Sequence, residues 1–198
     1  MGIFEKLFGK NKKQSSDQND EQGRYMPKEN TPIDEQFTIN FMKNGGKFIY
    51  CDSLSEIYQN FNDILKENNW ESETVLCYSE SLKQIFKQFS LKYEKSSASF
   101  FLTNCESLIA DKGSILISSN QIKEHKLDEL PENFVLYATT SQLKESISEG
   151  LRAIKNNTQK QIPSNITTLK HFKSSTENDF MTYGSSTKNL YLLLLEDL

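Results

Sequence analysis

Apolar residues along this chain fall into short blocks separated by polar turns, and the period inside the blocks switches between two and 3.6. Lys47 to Cys51 reads as a strand after the Asn44-Gly45-Gly46 turn. Ser53 then opens S-L-S-E, a capping box in which Glu56 reaches back to the helix start. Leu54, Ile57, Phe61, Ile64 and Leu65 follow at helical spacing to about Asn68. Val75 to Tyr78 predicts a second strand, and Ser81 to Phe89 a second helix with Leu82, Ile85, Phe86 and Phe89 inward. Ser99 to Leu102 gives a third strand, and Cys105 to Ala110 a short helical or irregular turn. Ser114 to Ser118 and Phe134 to Ala138 are further strands, the latter announced by Pro131.

Ser141 to Asn156 is the clearest helix, with Leu143, Ile147, Leu151 and Ile154 on one stripe. Ile166 to Phe172 supports two readings: its β-branched residues favour a strand, whereas Ser164 or Asn165 as an N-cap favours a helix. Asn189 to Glu196 is apolar without alternation, as a strand buried on both faces requires. Strands and helices alternate at short intervals, which predicts an α/β domain with one mostly parallel sheet flanked by helices. The domain spans 37–198, preceded by a polar linker over 14–36 and a short amphipathic segment over 1–13.

Composition narrows the partners. A net charge of −4 over 198 residues, with no Lys/Arg cluster inside the ordered part, disfavours nucleic acid. No apolar run reaches the ~20 residues of a membrane span, and the N-terminus lacks a secretion signal, so the expected location is the cytoplasm. Residues 1–13 place Ile3, Phe4, Leu7 and Phe8 on one side of a helix beside Lys6 and Lys10, a pattern that can touch a membrane or a partner groove. Cys51, Cys77 and Cys105 form no C-x-x-C pair, so they read as buried thiols rather than ligands of zinc or an iron–sulfur cluster. His125 and His171 lack companions at metal-ligand spacing and read as surface residues.

The candidate chemistry lies in loops of the second half. Asp111, Lys112, Gly113 and Ser114 can aim backbone N–H groups at an anion, with Lys112 adding charge; a tight turn into the next strand is the other reading. Ser118, Ser119, Asn120 and Gln121 offer four hydrogen-bonding side chains directly after a strand, for a ligand or for turn chemistry. Gly184, Ser185, Ser186 and Lys188 form the third loop. It has S-x-x-K spacing without the S-D-N and K-T-G companions of acyl enzymes, and it lacks the second glycine of a P-loop.

Ile109-Ala110-Asp111-Lys112-Gly113-Ser114, then Leu127-Asp128-Glu129-Leu130-Pro131 and the strand Phe134-Val135-Leu136-Tyr137, resemble the LUD-domain family of lactate-utilisation proteins. Ile162-Pro163-Ser164-Asn165-Ile166-Thr167 stands where that family carries G-P-S-R-T-A-D-I, and Tyr183-Gly184-Ser185-Ser186 where it carries G-V-H-G-P. The resemblance covers roughly 75–198. Asn165 replaces the family's arginine, Leu169 or Lys170 occupies the region of its aspartate, and its histidine has no counterpart.

The resemblance implies a fold similar to the ribose-phosphate isomerase and CoA-transferase superfamily. It also implies a non-redox subunit or regulator in the oxidation of lactate to pyruvate. Such a protein would bind a small anionic metabolite, hold no cofactor of its own, and work with iron–sulfur partner proteins. The ligand-binding residues it suggests are those of the three loops together with Ser164, Asn165 and Thr167. The alternative is an adaptor module tethered through residues 1–13.

Overall fold

The computed structural model describes residues 31–94, 97–157, 162–172 and 188–197. The amphipathic segment expected at 1–13, the linker up to residue 30 and the loop residues Gly184, Ser185 and Ser186 lie outside them. Residues read as linker at 33–36 instead form the first turn of helix α1 (Ile33–Lys43). Asp34 and Glu35 suit the positive end of its dipole, and Phe37 and Phe41, one turn apart, stack at 5.3 Å and are fully buried.

Helix α2 (Leu54–Glu67) follows strand β1 (Lys47–Cys51). Ser53 caps α2 by accepting the Glu56 N–H at 3.3 Å, while the Glu56 carboxylate accepts the Asp52 N–H at 2.9 Å, one residue upstream of the cap. Next come β2 (Thr74–Leu76), α3 (Glu80–Ile85, capped by Ser79), β3 (Lys92–Tyr93) and β4 (Phe100–Thr103). With β5 (Ser107–Ile109), β6 (Ser114–Ser118), β7 (Asn133–Thr139), β8 (Leu143–Lys144), β9 (Ile166–Leu169) and β10 (Asn189–Leu195), the strands form two sheets.

The main sheet has six strands, all parallel, in the order β1-β10-β7-β4-β2-β3. The continuous apolar run of β10 takes a central place, pairing Leu192 with Phe48 on one side and Leu136 on the other. Alternate residues supply two cores. Phe100, Leu102, Val135, Tyr191 and Leu193 meet Ile57, Phe61, Ile64 and Phe86 of the α2–α3 layer. Phe101, Phe134, Leu136, Leu190 and Leu192 meet Phe37 and Phe41 of α1 and the apolar face of the second sheet.

That second sheet, ordered β8-β5-β6-β9, departs from the expected pattern. Cys105 to Ala110 is not helical or irregular: Ser107–Ile109 forms β5, antiparallel to β6, so Ser114–Ser118 lies in a separate layer. Leu108, Ala110, Ile115 and Ile117 face the main sheet, which satisfies the apolar pattern without membership in it. The ambiguous segment after Pro163 is strand β9, antiparallel to β6. The long helix expected from Ser141 starts only at Ile147. Leu143 pairs with Leu108 in β8, and Ser146 caps α5 (Ile147–Asn156) through the Glu149 N–H.

All three cysteines are buried and free, and both histidines are exposed, His125 stacking on Tyr78 with ring centroids 5.8 Å apart. Among the described residues, no helix is long and apolar enough to cross a membrane.

Candidate functional site

Strand β4 ends at Thr103, and the chain leaves the main sheet through Asn104, Cys105 and Glu106 before entering β5. The β5–β6 hairpin sets Ser107 opposite Leu116, and the Glu106 N–H donates to the Leu116 carbonyl at 2.8 Å. This register carries the Glu106 side chain to the far end of β6. There Ser118 caps a one-turn helix, α4 (Ser119–Ile122), in a full capping box with Gln121.

One carboxylate oxygen organises the turn. Glu106 Oε1 accepts from the Ser118 hydroxyl at 2.7 Å, Asn120 Nδ2 at 2.8 Å and Gln121 Nε2 at 3.1 Å. The single Ser118 proton also has Gln121 Oε1 within 3.0 Å, but the charged acceptor is closer and stronger. Gln121 Oε1 accepts the Ser118 N–H at 2.8 Å, so its amide bridges backbone and carboxylate. Ser119 ties in the next segment: its N–H donates to the Asn165 carbonyl at 2.9 Å, and its hydroxyl accepts the Ser164 N–H at 3.1 Å. Thr167 sits opposite Ile117 in the β6–β9 ladder.

Beside this network lies a cleft of about 310 Å³, bordered by Cys105, Glu106, Asn120, Gln142, Ile154 and Asn157, with Pro163 at its edge. It opens outside the carboxyl ends of β4 and β7, neighbours in the parallel sheet, where α/β folds place ligands. Gln142 locks the second wall by accepting the Thr139 N–H at 2.9 Å and donating to the Cys105 carbonyl at 2.7 Å. Burial first, then the charge of Glu106, pushes the Cys105 thiol far above its ordinary range, so it borders the cleft as an inert neutral group.

The sequence candidates separate on this frame. Ser118, Ser119, Asn120 and Gln121 come together with Ser164, Asn165 and Thr167, and Asn120 borders the cleft. Asp111 to Ser114 occupy the other end of β6, on the order of 13 Å away at a strand's rise per residue. That turn packs on α1: Asn40 Nδ2 donates to the Ala110 carbonyl at 2.8 Å, and Asn44 Nδ2 to the Lys112 and Gly113 carbonyls at 2.7 and 2.9 Å. Lys188 is buried at the amino end of β10, donating to the Leu130 and Pro131 carbonyls at 2.9 and 3.1 Å. Among the described residues, Asn120 of the Ser118–Gln121 turn borders the cleft, whereas the Asp111–Ser114 turn lies at the other end of β6 and Lys188 at the amino end of β10.

A match to the LUD domain model covers residues 86–195. The chain belongs to the LUD domain family. The fold is similar to that in the crystal structure of a DUF162 family protein from Deinococcus radiodurans. The two share 14% identity and a TM-score of 0.58, over 82% of this chain and 96% of that one. No curated protein matches the sequence. Within this LUD domain the matched region takes in both walls of the cleft, from Cys105 through Asn157.

Glu106 escaped sequence reasoning because it is one of 27 acidic residues and belongs to no motif. The available signal was hairpin register: a turn at Asp111 to Gly113 aligns Glu106 beside the Ser118 loop.

A second carboxylate closes the neighbouring edge. Asp197 accepts from the Thr140 hydroxyl and the Ser141 N–H at 2.8 Å each and from the Ser141 hydroxyl at 2.7 Å, tying the tail after β10 to the turn after β7. Desolvation pushes its pKa up, but the bonds from Ser141, then Thr140, outweigh it and hold Asp197 at about 2. Because the folded value is depressed, the clamp contributes above the ordinary ~3.9 and is lost as pH falls from about 4 to about 2. Asp197→Asn is expected to remove that part of the acid dependence in unfolding titrations, by no more than ~1 kcal/mol at this exposed position. An unchanged acid limb in the variant would show that the clamp contributes nothing.

Proposed function

We propose that this LUD domain protein is a ligand-binding accessory protein, a non-redox subunit or regulator in lactate-type metabolism. The supporting observation is the cleft outside β4 and β7, bordered by a Glu106 carboxylate fixed by Ser118, Asn120 and Gln121. A carboxylate immobilised by three donors is preorganised to orient one polar group of a small molecule. Oxidation of lactate to pyruvate releases two electrons and two protons. In this reading, iron–sulfur partner proteins accept the electrons, and this chain contributes binding.

Asn120→Ala removes a fixing hydrogen bond at an exposed position and is expected to leave folding within ~1 kcal/mol of the parent while weakening ligand binding. The test combines growth on lactate as sole carbon source with affinity purification of the full chain from its native cells. Slower growth of the Asn120→Ala strain and recovery of iron–sulfur proteins support the reading. Parental growth together with no such recovery would exclude the lactate role.

A further inference from the structure

Helix α5 carries a regular apolar stripe, Ile147, Leu151 and Ile154, that neither core absorbs. The helix rests on the β5–β6 hairpin through Gly150, which faces Leu116 and Ile109. At about 100° per residue, Ile154, Ile147 and Leu151 lie roughly 40°, 60° and 100° round the helix from Gly150. The stripe therefore points past the domain: Ile147 and Ile154 are only half-buried, and Leu151 is 42% exposed. Ile162, 65% exposed, adjoins Pro163, which shares the cleft border with Ile154. Single exposed apolar residues are ordinary, but a continuous stripe on one helix face marks a contact surface.

We infer that this stripe is a self-docking surface, on which two copies of the chain pack their α5 helices antiparallel about a twofold axis at Leu151. The spacing is self-complementary. Ile147 lies about 6 Å before Leu151 along the helix and Ile154 about 4.5 Å after it. Reversal therefore sets Leu151 against Leu151, and Ile147 of each copy against Ile154 of the other. Charge agrees with this direction. Glu145 and Glu149 stand at the start of the helix, Arg152 and Lys155 in its second half, and all four are exposed. An antiparallel pair brings each acidic end beside the other copy's basic end, whereas a parallel pair sets like beside like. Ile154 belongs to both the stripe and the cleft border, so pairing brings Ile147 of the second copy to the rim of the cleft.

Sedimentation of the full chain over a concentration series measures the association. A contact centred on one short helix is small for a specific interface, on the order of 1,000 Å² in total, so a dimer with micromolar dissociation is expected. Leu151→Glu keeps a good helix former at an exposed site and sets two carboxylates against each other at the twofold. It is expected to weaken the dimer at least about a hundredfold while the circular dichroism stays that of the parent. The three native cysteines are buried, so an introduced surface cysteine reports alone. Leu151→Cys is expected to give a dimer cross-linked by a short bismaleimide, and Asn156→Cys, on the opposite side of α5, is expected not to. A chain that is monomeric at every concentration overturns the inference and leaves the stripe to a different protein partner. A dimer unmoved by Leu151→Glu overturns it too, as does one cross-linked as readily through Asn156→Cys as through Leu151→Cys.

Discussion

Gly113→Ala is expected to destabilise the protein by about 3 kcal/mol, read as a lower urea midpoint at unchanged slope. Gly113 has φ +55°, a left-handed conformation costing an L-residue ~1–2 kcal/mol. A Cβ there would also lie 2.2 Å from the Asn40 carbonyl carbon and 2.3 Å from the Phe41 nitrogen. Those atoms belong to the backbone of α1, so relief requires the helix and the β5–β6 turn to separate. Separation would break the Asn40 and Asn44 clamps on the turn and loosen the packing around Phe41, whose ring lies 4.9 Å from that of Phe172. A midpoint equal to the parent's would show that helix and turn do not approach this closely. Because the cleft lies at the opposite end of β6, mildly destabilised variants of this turn are expected to keep full cleft binding when assayed below their unfolding transition.

How much of this could be read from sequence depends on the distance over which each decision is made. The Ser53 cap with Glu56, the amphipathic α2 and the unalternating β10 are local patterns, and each predicts its element. The segment from Ser114 to Ser118 is local too, but its apolar run fits a strand in either layer, and only pairing with Ser107 to Ile109 places it in the second sheet. Leu143 sits on the helical stripe by spacing, yet long-range pairing with Leu108 draws it into β8, and Ser146 caps the helix later. The candidate site follows the same division. Ser118 to Gln121 stand out as a polar cluster, whereas Glu106 gains meaning only from three donors that lie 12 to 15 residues away in sequence.

Coupling between packing and the cleft gives the second large effect. Gly150 is buried in the middle of α5, and a Cβ there would lie 2.6 Å from Leu116 Cδ1 and 3.0 Å from Ile109 Cδ1. Ser107 belongs to the same face, its Cβ 3.5 Å from that position, so small residues on both sides bring the helix down onto the β5–β6 hairpin. Gly150→Ala gains ~1 kcal/mol of helix propensity against the cost of moving the flexible end of Leu116, and is expected to stay within ~1 kcal/mol of the parent. Gly150→Val adds an isopropyl group with a stiff χ1 to a packed interface and is expected to cost about 2–3 kcal/mol.

The larger side chain must lift α5, and the next turn carries Ala153 and Ile154, which wall the cleft. Gly150→Val is therefore expected to weaken ligand binding at the cleft under conditions where the variant remains folded, while Gly150→Ala binds as the parent does. Equal urea midpoints for the valine and alanine variants would mean that α5 has room above the hairpin. A destabilised valine variant with parental binding would mean instead that strain is absorbed without moving the wall. Only joint loss of stability and affinity places Gly150 as the contact that sets the width of the cleft.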